Sequence, residues 1–208
     1  SNHNHILLFS KNLDEVFKDT DGIILPGGFG DRGIEGMISV ANYARNKQIP
    51  YLGMCLGMQI AAIAFARDVL GFEDANSYEF DSESKHTIID FMEDQSNDIK
   101  KGGTMRLGAQ EVELKADSLA AKIYGKTQIK ERHRHRYEVN NHFLPKLEQA
   151  GLVIGGVSSG SERLVETIEL PNHPWFFASQ FHPEFTSNPR QGHPLFTAFV
   201  KAALANKR

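Results

Sequence analysis

The residues in this chain best suited to chemistry are a thiol, an imidazole and a carboxylate. Cys55 is the single cysteine among 208 residues and sits within Gly53-Met54-Cys55-Leu56-Gly57. The apolar run Ile49-Pro50-Tyr51-Leu52 ahead of it reads as a short buried strand, and Gln59 to Ala66 behind it as the start of a helix. A side chain caught at a strand-to-helix turn is pushed out of the packed sheet, and flanking glycines let the backbone fold tightly there. The Leu56 amide then lies at a helix N-terminus, where unpaired N–H groups favour negative charge. Such a placement suits a thiolate nucleophile and offers one donor to a developing oxyanion. The alternative is a small buried hydrophobe, which is what a lone cysteine often is.

A thiol nucleophile needs a base, and the base needs a group that holds its tautomer. Of nine histidines, His182 stands out because of Phe181-His182-Pro183-Glu184. In an extended segment residues i and i+2 point to one side, which predicts Glu184 beside the His182 ring. The carboxylate then accepts from one ring nitrogen and leaves the other facing the thiol. A surface His and Glu at a strand end is the alternative. Pro26-Gly27-Gly28-Phe29-Gly30 follows an apolar strand, and so lies where open α/β sheets place their ligands. An amide from Gly27 or Gly28 can complete an oxyanion hole with Leu56. The run lacks the Gly-Lys-Ser/Thr ending of a P-loop and does not match Gly-x-Gly-x-x-Gly, which leaves a plain glycine turn as its rival.

The elements that must position these groups alternate in the first half. Asn4 to Phe9 and Asp21 to Leu25 read as strands with a short helix, Leu13 to Lys18, between them. Glu35 to Asn46 follows as a helix, then the strand into Cys55 and the long helix after it. This order argues for a parallel sheet flanked by helices. His86 to Met92, Arg106 to Leu114, Leu152 to Ser158, Val165 to Leu170 and Phe176 to Phe181 read as strands with little helix between several of them. The expected fold is therefore α/β, a mostly parallel central sheet with additional antiparallel strands in the C-terminal half. Glu93 to Gly103 is polar and glycine-ended and reads as a surface loop, and Pro194 to Asn206 as a closing helix with proline in its first turn.

Composition bounds the function. A hydrophobic fraction of 40% and a charged fraction of 24% suit one globular domain, here residues 1–208. A net charge of -3 argues against a general nucleic-acid or membrane-surface binder. One cysteine excludes an internal disulfide framework and suits a reducing cytoplasmic setting. No apolar run approaches the roughly 20 residues a membrane helix needs, and none reads as a signal peptide. In Arg132-His133-Arg134-His135-Arg136 a strand would put arginines on one face and histidines on the other, which disfavours a nucleic-acid surface. His133 and His135 also hint at a metal, but no cysteine or acidic cluster completes the set.

Taken in order, Pro26-Gly27-Gly28, Gly53-Met54-Cys55-Leu56-Gly57 and His182-Pro183-Glu184 resemble the class I (triad) glutamine amidotransferases. Four longer stretches are similar to the glutaminase domain of the CTP synthases: Pro26 to Gly36, Gly102 to Gly108, Glu131 to Asn140 and His182 to Ser187. The similarity runs from about Gly22 to Ala203. It implies hydrolysis of L-glutamine to glutamate and ammonia through a Cys55 thioester, with His182 shuttling protons and Glu184 orienting it. The amides of Gly28 (or Gly27) and Leu56 would hold the oxyanion, and Gly28, Gln59, Glu79 and Arg136 would bind glutamine. A guanidinium fork such as Arg136 suits the α-carboxylate, and a carboxylate such as Glu79 the α-ammonium. Phe29, Arg32, Gly33 and Glu35 match a mobile lid linked to GTP as allosteric activator, with a solvated glycine turn as the alternative for the last three.

The same resemblance implies no cofactor in this domain. ATP, Mg and UTP are expected in a synthetase domain, where the ammonia would aminate UTP to CTP in a cytoplasmic homotetramer. Nothing like that domain is present, and Asn4 to Phe9 resembles the family's second strand rather than its first. Loss of a central strand would leave unpaired backbone groups, so a fragment of a longer protein is expected. A stand-alone class I amidotransferase, a γ-glutamyl hydrolase and a non-catalytic glutamine-binding module remain as other readings.

Overall fold

The computed structural model describes residues 13–91, 105–160 and 163–207. The expected strand Asn4 to Phe9, the loop Glu93 to Gly103, and Met92 at the end of another expected strand lie outside them. Within the expected helix Leu13 to Lys18, residues 13–16 are helical and 17–18 form a turn. Chain order then runs β1 (Ile23–Leu25), α1 (Ile34–Asn46), β2 (Tyr51–Met54), α2 (Leu56–Val69), β3 (Asn76–Ser77), β4 (Thr87–Asp90) and β5 (Arg106–Leu114). It continues through α3 (Leu119–Tyr124), β6 (Gln128–His135), β7 (Glu138–Val139), α4 (Leu144–Gln149), β8 (Val153–Ser158), β9 (Val165–Glu169), β10 (Phe176–Ser179) and α5 (Pro194–Ala205).

Seven strands form one mixed sheet in the order β1-β2-β10-β9-β8-β5-β6. β1, β2 and β10 are parallel, and β9, β8, β5 and β6 continue the sheet by antiparallel pairing. Both faces of the central strands are covered, as a buried parallel segment requires. Alternation in β2 sends Tyr51 into one apolar cluster, with α1 and α2, and Leu52 into the other, with Phe177, Phe181, Leu195 and Phe199. β3, β4 and β7 form a separate small sheet.

β6 obeys its period-two pattern without exception. Ile129, Glu131, His133 and His135 are buried while Gln128, Lys130, Arg132 and Arg134 are exposed. Apart from Ile129 the inward set is polar: Glu131 is bonded by Tyr124 and His193 and His135 by Glu138, whereas neither ring nitrogen of His133 has a hydrogen-bond partner among the described residues. Arg106 on β5 donates to Glu138 and to Glu166, both at 2.8 Å. Glu138 also accepts from His135 at 2.7 Å. Burial pushes the Glu166 carboxyl up to about 8 against the pull of Arg106. Burial likewise drives His133 down to about 2, so it stays neutral.

Candidate active site

β2 ends at Met54 and α2 begins at Leu56, so Cys55 alone makes the turn between them. Its φ of 51° and ψ of -104° lie in a region that non-glycine residues rarely occupy. Strain of this kind persists only where the surroundings hold it, and it clusters at functional sites. The Cys55 amide donates to the Ser179 carbonyl at 2.7 Å, and its own carbonyl accepts from Met58 and Gln59, at 3.0 and 3.2 Å. The flanking glycines let the backbone fold tightly without steric clash, as expected. Neither Gly53 nor Gly57 has positive φ; they are required by crowding instead. A Cβ on Gly57 would lie 2.2 Å from the Leu25 carbonyl oxygen, and one on Gly53 would lie 2.6 Å from the Gly57 oxygen.

His182 follows β10, and Glu184 falls in a single 3-10 turn, Pro183–Phe185. The expected extended geometry is therefore replaced, because Pro183 fixes a turn-compatible φ directly after His182. The pair still forms. The imidazole Nδ1 donates to Glu184 Oε1 at 2.6 Å, and Phe185 stacks on the ring with centroids 4.5 Å apart. Burial opposes protonation of His182, but the Cys55 thiol and the Glu184 carboxylate outweigh it and raise its pKa to about 10. Glu184 is pushed up by burial and pulled down more strongly by His182, so it stays below the usual carboxylate range. No hydrogen bond of good geometry reaches the buried Nε2 among the described residues, a looseness common before substrate arrives.

The loop after β1 closes over this pair. A Cβ on Gly27 would lie 2.9 Å from His182 Cε1 and 3.5 Å from Cys55 Cβ, so the Gly27 backbone lies against both side chains. A Cβ on Gly28 would meet Leu56 Cδ2 at 3.1 Å, so the Gly28 backbone lies close to the Leu56 side chain. Leu56 opens α2, where the first amides have no partner within the helix.

Next to the thiol is a cavity of about 180 Å³ lined by Gly28, Phe29, Cys55, Gln59, Glu79, Met105, His135, Arg136 and Tyr137. The sequence-predicted glutamine contacts Gly28, Gln59, Glu79 and Arg136 thus share one wall set with Cys55. Glu79 is raised by burial, with the Gly30 amide and the Arg136 charge pulling the other way. Arg136 Nε is buried and unpartnered among the described residues. Opposite charges beside an uncommitted guanidinium donor suit an amino-acid zwitterion.

The remaining predicted residues divide. Phe29 lines the cavity, is 63% exposed, and carries the Arg134 guanidinium over its ring at 5.8 Å. Arg32, Gly33 and Glu35 lie outside the cavity: Gly33 caps α1 with φ 79°, and Glu35 pairs with Arg67 at 2.7 Å. Sequence reasoning missed Met105, His135 and Tyr137 on the walls, and above all Gln180, whose Nε2 donates to Cys55 Sγ at 3.8 Å. Gln180 lies two residues before His182, the same spacing that pointed to Glu184. Among the described residues no cluster of His, Cys, Asp and Glu could hold a metal. No helix among them is long and apolar enough to cross a membrane.

The fold is an α/β one: a mixed, helix-flanked sheet that carries a thiol on a strained strand-to-helix turn, with the carboxylate-bound His182 after β10. The chain belongs to the class I glutamine amidotransferases, whose family model matches residues 3–202. Among solved structures it is similar to the glutaminase domain of Trypanosoma brucei CTPS, solved with bound acivicin. The identity is 43% and the TM-score 0.87, over 94% of this chain and 78% of that one. A protein from Thermoplasma acidophilum described as part of a putative GMP synthase matches at 21% identity and TM-score 0.59, over 94% of this chain and 77% of that one; at that distance it speaks for the fold alone.

Proposed function

We propose that this chain is the glutamine-hydrolysing domain of a CTP synthase, and that Cys55, His182 and Glu184 are its catalytic residues. The observation that carries the reading is that a strained Cys55 and a His182 tied to Glu184 at 2.6 Å both lie against the Gly27 backbone, with Cys55 lining the cavity that holds Glu79 and Arg136. His182 takes the thiol proton, and Cys55 Sγ attacks the side-chain amide carbon of glutamine. The amides of Gly28 (or Gly27) and Leu56 face the negative charge that develops on the carbonyl oxygen. His182 returns its proton to the leaving nitrogen, the C–N bond breaks, and ammonia departs from a γ-glutamyl thioester. Water, deprotonated by His182, then cleaves the C–S bond to give glutamate and regenerate the thiol. Arg136 takes the substrate α-carboxylate, Glu79 its α-ammonium, and Gln59 a third polar contact.

The ammonia is destined for ATP- and Mg-dependent amination of UTP in a synthetase domain, which makes the whole protein a ligase assembled as a cytoplasmic homotetramer. Phe29, Arg32, Gly33 and Glu35 form the segment through which GTP would act. Incubation with acivicin or another electrophilic glutamine analogue, followed by peptide mass spectrometry, tests the assignment. A single adduct on Cys55, blocked by excess glutamine, is the expected result. Glutamine hydrolysis that survives Cys55→Ala would sink it.

A further inference from the structure

Outside the proposed triad, one fully buried side chain touches the thiol directly. Gln180 Nε2 donates to Cys55 Sγ at 3.8 Å, and its Oε1 accepts from Gln59 Nε2 at 3.3 Å. Gln59 Nε2 also donates to the Tyr137 carbonyl at 3.0 Å. A primary amide carries two N–H donors, so both donors of Gln59 are committed. Its carbonyl oxygen is then the group left to meet a ligand in the cavity that Gln59 lines.

The orientation of both amides is coupled. Turning the Gln180 amide over would set an N–H against the Gln59 N–H and an oxygen lone pair against sulfur. The first contact would be repulsive, and the second becomes so once sulfur is a thiolate with no proton to donate. The backbone beneath is equally fixed, with the Gln180 main-chain amide donating to the Glu166 carbonyl at 2.8 Å and the Cys55 amide to that of Ser179 at 2.7 Å. Gln180 is 0% exposed and Gln59 4%, so water does not compete for these bonds.

We propose that Gln180 is a positioning residue that couples the nucleophile to the substrate grip. Its N–H holds the Cys55 sulfur and favours the thiolate; its carbonyl oxygen locks Gln59 with an acceptor turned to the substrate. Hydrogen bonds to a charged partner are about twice as strong as neutral ones, so the contact works hardest while sulfur is anionic. It relaxes as the charge passes to the oxyanion. The proposal rests on the reading of Cys55 as the glutamine nucleophile.

Two variants separate the two roles. Gln180→Glu keeps an acceptor for Gln59 and removes the donor to sulfur. Alkylation of Cys55 by iodoacetamide at pH 7 should slow about tenfold, the worth of one hydrogen bond to a charged group. The inflection of its rate–pH profile should move to higher pH, and kcat should fall while KM for glutamine stays within about twofold. Gln180→Met keeps the length and removes both contacts, so alkylation should slow similarly and KM should rise several-fold as well. If the buried carboxylate of Gln180→Glu prevents folding, the apolar Gln180→Met carries the test. Melting temperatures report any merely structural effect. A lowered melting temperature with unchanged alkylation profile, kcat and KM overturns the proposal. Alkylation needs no turnover, so its profile tests the sulfur contact even if Cys55→Ala were to retain glutaminase activity, a result that would overturn the functional reading instead.

Discussion

Gly27→Ala puts a methyl group where the site has no room for one. The new Cβ would lie 2.9 Å from His182 Cε1, 3.5 Å from His182 Nδ1 and 3.5 Å from Cys55 Cβ. Non-bonded carbons settle at about 3.5–4.0 Å, so the ring must retreat by about 0.6 Å or more. That retreat is resisted, since Nδ1 is tied to Glu184 at 2.6 Å and the ring lies against Phe185. Misplacing a reacting group by about 1 Å can slow a reaction about 10²-fold. We therefore expect glutaminase kcat to drop roughly 10- to 100-fold. Overpacking should destabilise the fold by about 1–3 kcal/mol, or roughly 2–12 °C in melting temperature for a chain of this length. Gly27 does not have positive φ, so alanine brings no backbone strain, and the variant keeps the amide. Any loss therefore reports displacement of His182 and not removal of an oxyanion donor. Steady-state glutamine hydrolysis, paired with thermal melts, measures both effects. Kinetics within twofold of the parent would refute the claim that Gly27 fixes the base against the nucleophile.

Other outcomes follow from the same geometry. Glu184→Gln keeps shape but removes one of the two groups that raise the His182 pKa, so His182 should titrate lower than in the parent, and kcat should fall about 10²–10⁴-fold; ring NMR and kinetics check the two. The raised His182 pKa stabilises the fold fully below its ordinary value of 6.5, and that contribution is lost as pH climbs toward about 10. Melting temperature should accordingly fall between pH 7 and 10 more in the parent than in His182→Ala. Arg106→Met would leave Glu138 buried without its counter-charge and Glu166 without its hydrogen-bond donor, with side chains 3% and 0% exposed. Denaturant unfolding should register a loss of about 3–5 kcal/mol.

Much of the site was legible in sequence because it depends on local spacing. The turn around Cys55, the His182–Glu184 pair and the loop at Gly27 each sit within a few residues of an apolar strand. What was not legible depends on contacts between distant segments. Gln180 becomes informative only when β10 lies beside β2 and brings it to the sulfur. The crowding that demands Gly57 comes from Leu25, on another strand. β6 was legible only as the alternation of arginines and histidines from Arg132: past Ile129 its inward face is Glu131, His133 and His135, so the hydrophobic alternation that marks a strand is written in polar residues. α3 and α4 span six residues each, too short for a helical period to stand out. Antiparallel pairing reaches further across the sheet than the alternation of the first half suggests, since β9 accepts β8 on one edge and β10 on the other.

The Cys55 amide and the Ser179 carbonyl meet where β2 and β10 end side by side. That single seam brings the thiol-bearing turn and the histidine-bearing turn together, although one is early in the chain and the other near its end. The intervening chain contributes walls but not this alignment. Lengthening a turn remote from the seam, such as the one at Gly125 after α3, should be tolerated by the chemistry. A register slip of one residue between β2 and β10 would separate the two turns while leaving every other strand pairing intact. Accommodation of inserted segments far from the seam, and intolerance at it, is the pattern that a lineage diversifying on this scaffold would follow.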